Sequence, residues 1–154
     1  MAELKEGDIA PQFTANDQNG NPVSLSDFKG KDVILYFYPK DDTPGCTAEA
    51  CNFRDNYQSL QQQGFAIIGV STDDEKSHQK FVNKYQLPFT LISDTDKSIV
   101  GAYNVWIEKN MYGKKYMGTA RKTFLIDKNG VINKIIDKVN TSESSKQVLD
   151  LLNR

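Results

Sequence analysis

The chain has few of the features that mark most binding functions. Its longest apolar runs, Val33-Ile-Leu-Tyr-Phe-Tyr38 and Phe65-Ala-Ile-Ile-Gly-Val70, are of strand length and too short to cross a membrane. The start, Met1-Ala-Glu-Leu-Lys-Glu-Gly-Asp8, has no apolar stretch of the kind a secretory leader needs, so a cytoplasmic address without membrane contact is expected. Neither sign of charge dominates. With 19 basic and 20 acidic side chains intermixed, the formal net charge is −1, which leaves no electrostatic footprint for nucleic acid. Histidine occurs once, at His78, and cysteine twice, at Cys46 and Cys51. A C-x4-C pair with one distant histidine is too small a ligand set for zinc, and no metal or other cofactor is expected. The C-x-x-C of dithiol reductases is missing as well. At 154 residues the chain can bury one core without disulfide staples, and a single domain over 1–154 is expected. In a reducing compartment two thiols then point to catalysis, redox sensing or metal binding rather than to a permanent bridge.

Chain order indicates an α/β protein. Asp17-Gln-Asn-Gly-Asn-Pro22 is a turn cluster between Phe13-Thr-Ala15 and Val23-Ser-Leu25, which predicts an N-terminal β-hairpin. Ser26 or Asp27 can cap one helical turn ending near Gly30. Val33–Tyr38 and Phe65–Val70 read as central strands covered on both faces. Between them, Cys46 to Gln63 lacks proline, places Phe53, Tyr57 and Leu60 on one face and stops at Gly64, so a single helix is expected there. Strand, helix and strand make a right-handed parallel crossover. A helix over 73–85, a strand over Phe89-Thr-Leu-Ile92 and a short helix over 96–103 follow. Lys122–Ile126 and Val131–Ile136 flank Asp127-Lys-Asn-Gly130 as a hairpin at the sheet edge, and Ser142 to Leu152 closes the chain as a helix. The expectation is a central mixed sheet with helices on both faces. Val105 to Arg121 fits no element and reads as a long functional loop.

The two cysteines lie in Tyr36-Phe-Tyr-Pro-Lys-Asp-Asp-Thr-Pro-Gly-Cys46-Thr-Ala-Glu-Ala-Cys51, directly after a strand. A cysteine attacks as its thiolate, and helix N-termini or nearby cations favour that form. Pro44 presets the entry turn and Gly45 lets backbone amides approach the sulfur and whatever it attacks. Thr43 supplies a hydroxyl that can both accept and donate. The same three residues could simply cap a helix carrying a buried cysteine, because free cysteine often packs as a small hydrophobe. Five residues along a regular helix separate two Cα atoms by roughly 8.5 to 9 Å, beyond the limit of about 7 Å for a disulfide. If Cys46 and Cys51 share one helix, they can join only after its first turns unwind. The competing reading of Cys51 is a buried helix residue with no partner.

Pro39-x-x-x-Thr43-x-x-Cys46 resembles the peroxiredoxin active-site motif, and the segment Tyr36 to Asp55 resembles the bacterioferritin comigratory protein, or peroxiredoxin Q, branch. The resemblance runs nearly end to end, through Gly7-Asp-x-Ala-Pro-x-Phe13, Val70-Ser-x-Asp73, Tyr85-x-Leu-Pro-Phe89 and Arg121-x-Thr-Phe-Leu-Ile-Asp127. It implies a thioredoxin-like fold and a peroxidase. It further implies that Cys46 is the peroxidatic cysteine, Cys51 the resolving partner in an intramolecular disulfide, and Thr43 the residue that orients the peroxide. Pro39 would shield the pocket, Arg121 would be its cation, and Gly45, with Thr43, Cys46 and Arg121, would border the substrate. Hydrogen peroxide and organic hydroperoxides are the implied substrates, thioredoxin or a glutaredoxin system the implied reductant, and a monomer the implied state. A redox sensor or holdase on the same fold is the competing reading; it would react once rather than turn over. Glu49 and Arg54 match the branch pattern; Glu49 could shuttle a proton or pair with a cation, but a solvated helix charge is the preferred reading, and His78, in Ser77-His-Gln-Lys80, reads as a surface residue.

Overall fold

The computed structural model describes residues 3–154. Strands β1 (Thr14–Asn16) and β2 (Pro22–Ser24) form the N-terminal hairpin. Its turn is a wider loop than a two-residue Asn-Gly connection, organised by Asp17, whose Oδ1 accepts from the amides of Asn19 and Asn21 at 2.8 and 3.0 Å. After a 3-10 turn at Leu25–Phe28 come β3 (Asp32–Phe37), α1 (Pro44–Asp55), α2 (Tyr57–Gln62), β4 (Phe65–Ser71), α3 (Glu75–Tyr85), β5 (Thr90–Ser93) and α4 (Ser98–Ala102). The chain then runs through β6 (Trp106–Met111), β7 (Lys114–Thr119), β8 (Lys122–Ile126), β9 (Ile132–Ile136), a 3-10 turn at Thr141–Glu143 and α5 (Ser144–Leu151). The main sheet has the order β5-β4-β3-β8-β9; β3, β4 and β5 run parallel, β8 pairs antiparallel with β3, and β9 pairs antiparallel with β8.

Alternation along β3 explains why its run is apolar throughout. Ile34, Tyr36 and the following Tyr38 enter one core with Cys46, Ala50 and Phe53 of α1, Leu60 of α2, Phe81 of α3 and Val148 of α5. Val33, Leu35 and Phe37 enter the other, with Leu25, Ile99, Val100 and Tyr103. Both faces are covered, as a central strand requires. Phe53 is fully buried against Tyr36, ring centroids 5.0 Å apart, and such burial stabilises by about 1.5–3 kcal/mol. This packing holds α1 against the strand that leads into it.

Two expected elements differ. The helix expected from Cys46 to Gln63 breaks at Asn56 into α1 and α2. The Asn56 side chain donates to the Asn52 carbonyl at 2.8 Å, a local bond that competes with the helical ladder, and the backbone turns out of helical geometry there. Residues 105–121 are not a loop: β6 and β7 pair antiparallel from Trp106↔Thr119 to Met111↔Lys114. Their connection is a two-residue turn with Tyr112 at φ 53° and Gly113 at φ 82°, the left-handed pair that a tight hairpin demands. Tyrosine is an unusual choice there, and Asn110 Oδ1 supports the turn by accepting from the Gly113 amide at 2.9 Å. Among the described residues, no helix is long and apolar enough to cross a membrane.

Candidate active site

The loop after β3 carries Pro39 and Thr43 to the start of α1, where Thr43 is the N-cap, Pro44 opens the helix and Cys46 sits in the first turn. Proline suits that position because its missing N–H would have no intrahelical partner, and the amides of Gly45 and Cys46 lie in the turn where such donors point outward. Thr43 does not cap the helix with its side chain; its Oγ1 donates to the Lys40 carbonyl at 2.9 Å, which leaves the oxygen lone pairs to accept from another molecule. Cys46 is buried, and Pro39, Thr43 and Gly45 on the segment that leads into it are half-buried.

Arg121 reaches this thiol from a remote part of the sequence. The register Phe37↔Lys122 sets the residue before β8 beside the exit of β3, at the sheet end where α1 begins. Arg121 Nη2 donates to Cys46 Sγ at 3.2 Å, and Nη1 donates to Glu49 Oε1 at 3.2 Å. A fixed fork bridging sulfur and carboxylate is geometry that arginine provides and lysine does not. Burial opposes the guanidinium charge, but the bonds to Cys46 and Glu49 more than offset it and raise its pKa further, so Arg121 is a permanent cation. A Cβ on residue 45 would lie 3.1 Å from Arg121 Nη2, so Gly45 is the residue that lets the guanidinium close on the helix N-terminus.

Glu49 corrects the expectation of a solvated helix charge: it is fully buried, between Arg121 and Ser144, whose Oγ donates to Oε2 at 3.4 Å. Burial pushes its carboxyl up to about 7, against the pull of Arg121. The signal was present in the spacing, since Cys46, Glu49, Ala50 and Phe53 form one i, i+3, i+4, i+7 stripe and Phe53 was expected inside. His78 is corrected in the same way, being completely buried on the α3 stripe it shares with Phe81. Arg54 is half-buried and donates to the Tyr85 carbonyl at 2.8 Å, joining α1 to the end of α3 away from the thiol.

The Glu49 shift makes a testable statement about stability. Between pH 4.5, its ordinary value, and about 7, the folded protein holds a proton that the unfolded chain has released, so stability falls as pH rises through that window. Full expression of the shift corresponds to roughly 3 kcal/mol. Glu49→Gln is therefore expected to flatten that decline, read as the difference between wild-type and variant denaturant midpoints at either end of the window.

Cys51 is half-buried on the same unbroken helix as Cys46, and both thiols are free. The structure thus brings Cys46, Arg121, Thr43 and Gly45 together and leaves Cys51 more than a turn further along α1.

A buried thiol in the first turn of a helix, bonded to a permanent cation on a mixed sheet, fits a thiol peroxidase, and the relatives of the chain bear that class out. The model of the AhpC/TSA family matches residues 7–135. Peroxiredoxin Bcp of Bacillus subtilis is 46% identical over 149 residues, 97% of this chain and 95% of that protein. Peroxiredoxin Bcp of Escherichia coli is 45% identical over 152 residues, 99% of this chain and 97% of that protein. A solved structure of the bacterioferritin comigratory protein of Xanthomonas campestris, described for alkyl peroxide reduction, superposes with a TM-score of 0.85 at 36% identity, covering 92% of this chain and 90% of that one. The chain belongs to the AhpC/TSA family, among its Bcp and peroxiredoxin Q peroxiredoxins.

Proposed function

We propose that Cys46 is the peroxidatic residue and that Cys51 resolves it within the same chain. The Cys46 thiolate attacks one oxygen of the peroxide, the O–O bond breaks, and hydroxide or alkoxide leaves and takes a proton from water, with sulfenic acid on Cys46. Arg121 faces both the thiolate and the charge that develops on the departing oxygen. Thr43, its hydroxyl hydrogen held by Lys40, accepts from the peroxide, while Pro39 and Gly45 form the wall around it. The Cys51 thiol then condenses with the sulfenic acid, forming a disulfide and expelling water. An external dithiol of the thioredoxin or glutaredoxin kind reduces it by exchange. Hydrogen peroxide and alkyl hydroperoxides are both proposed substrates, the latter supported by the activity described for the Xanthomonas relative. Two free cysteines suit a reducing compartment such as the cytoplasm.

The observation that carries this reading is the 3.2 Å contact between Arg121 Nη2 and the Sγ of the buried Cys46. Its test is intact mass after one equivalent of hydrogen peroxide, followed by turnover with thioredoxin, its reductase and excess peroxide. A loss of two mass units mapped to Cys46–Cys51, with many turnovers, supports it; a single oxidation that no dithiol reverses would replace it with the sensor reading. Cys51→Ser is expected to keep the first oxidation at its wild-type rate, to stop at the sulfenic acid and to over-oxidise under excess peroxide, visible as added oxygen masses on Cys46.

A further inference from the structure

Beneath the loop that leads into α1 lies a buried polar cluster that the proposed mechanism leaves unused. Asp41, Asp73 and His78 bring ligand-type atoms within 4.8 Å of one another. A metal finds no open imidazole lone pair among them. His78 Nε2 lies 2.9 Å from the Ile92 carbonyl, which only accepts, so that nitrogen carries a proton. His78 Nδ1 lies 2.7 Å from Asp41 Oδ2. Asp41 is itself the acceptor for Tyr38 Oη at 2.6 Å and Ser77 Oγ at 2.8 Å, and its amide donates to Asp73 Oδ2 at 2.8 Å. A carboxylate surrounded by donors, facing the second ring nitrogen, is the geometry of an imidazolium–carboxylate pair. Burial opposes the charge on His78, but the bond to Asp41 and its charge, with the Ile92 carbonyl and Asp73, outweigh burial and raise its pKa.

This pair grips the loop of the site. Asp41 lies midway between Pro39 and Thr43. Its neighbour Asp42 is held in the left-handed region at φ 57° and grips α3 from the solvent side, accepting from Lys84 Nζ and Tyr85 Oη, each at 2.8 Å. Two successive carboxylates thus tie the loop to one helix at points about two turns apart along the same face. The loop runs through the N-cap Thr43 straight into the first turn of α1, which must open before Cys46 and Cys51 can meet.

We propose that His78, held as an imidazolium between Asp41 and the Ile92 carbonyl, is a positioning residue that keeps the Pro39–Thr43 wall of the site docked on α3 while α1 changes shape. The movement of α1 rests on the reading of Cys46 and Cys51 above; the protonation of His78 does not. Because the bond is charge-assisted, the loop is held firmly below the raised pKa of His78 and loosens as pH climbs through it. The groups that face the ring are Asp41 from the loop, Tyr38 following β3, Asp73 following β4, and the Ile92 carbonyl of β5, with Ser77 beside it on α3.

The test uses reduced, 15N-labelled protein. Near neutral pH both His78 ring nitrogens are expected to give protonated 15N shifts. Protection factors of the amides at 41–43 are expected to fall on the order of tenfold as pH rises through the His78 titration, with β3 and β4 unchanged. In His78→Gln the same amides are expected to exchange faster at every pH, without that pH step, and single-turnover oxidation of Cys46 by hydrogen peroxide to slow by about tenfold. A single unprotonated ring nitrogen near neutral pH overturns the proposal, as does a variant whose loop exchange and oxidation rate match wild type. Protection lost evenly from β3, β4 and the loop also overturns it, since that is the mark of a merely structural residue. Should His78→Gln not fold, the wild-type shifts and protection profile decide alone. A wild-type protein that never forms the Cys46–Cys51 disulfide defeats the mechanism above while leaving the His78 measurements to stand or fall by themselves.

Discussion

Cys46→Ser is expected to leave a folded protein whose peroxide turnover falls by roughly four orders of magnitude or more. The fold should survive because serine nearly matches the volume of the buried thiol and its hydroxyl can still accept from Arg121 Nη2 where the sulfur did. The chemistry does not survive. A serine hydroxyl stays protonated beside a single guanidinium, and a neutral alcohol is a far weaker nucleophile toward an O–O bond than a thiolate. The check is peroxide consumption with a dithiol reductant in excess, together with far-UV circular dichroism to establish folding. Turnover at a percent or more of wild type would move the reacting centre to Cys51 and overturn the proposed roles of both cysteines.

Arg121→Gln is expected to reduce kcat/KM for peroxide by about 10²–10³, the loss typical of removing one preorganised donor from the place where charge develops. Three consequences follow from one deletion. The sulfur loses its 3.2 Å donor, the departing oxygen loses the positive charge facing it, and Glu49 keeps its burial but loses the cation that favours ionisation. The last of these drives the Glu49 carboxyl above its already raised value, so it stays protonated across the neutral range. Arg121→Lys is expected to recover only part of the rate, because a point charge on a flexible stem cannot reach Sγ and Oε1 together in the geometry of a fork. Steady-state rates for the three proteins, with second-order rate constants for the first oxidation, separate a loss of thiolate reactivity from a loss in recycling. Equal rates for Arg121→Gln and wild type would remove Arg121 from the chemistry and leave it a structural partner of Glu49.

The parts of the site that were legible are those a short stretch of chain specifies. Proline and glycine before Cys46 announce a helix N-terminus, and α1 begins at Pro44. Glu49 and His78 read as solvated by their charge alone, yet each falls on a stripe whose other members, Phe53 and Phe81, are buried. A buried charge needs a partner, and the partners are remote: Arg121 for Glu49, and Asp41 for His78. The hairpin over 106–119 is silent in the sequence for another reason. Its turn uses Tyr112-Gly113 where Asn-Gly would have signalled it, and its strands are exposed on so many positions that no alternation stands out.

By itself the sequence determined the chain order of the five main-sheet strands, the parallel crossover from β3 through α1 to β4, and the placing of a thiol in the first turn of a helix. These follow from local rules, in which apolar runs end at proline, glycine and charge, and from the handedness of a crossover. Tertiary structure alone decided which cation meets that thiol. Arg121 lies 75 positions beyond Cys46 and arrives only because β8 pairs antiparallel with β3 in the register Phe37↔Lys122. That register is set by the packing of both sheet faces at once, and a shift by one residue would reverse which side chains face each core. The same long-range packing buries Glu49 and His78 and so determines their charge, which composition and spacing leave open.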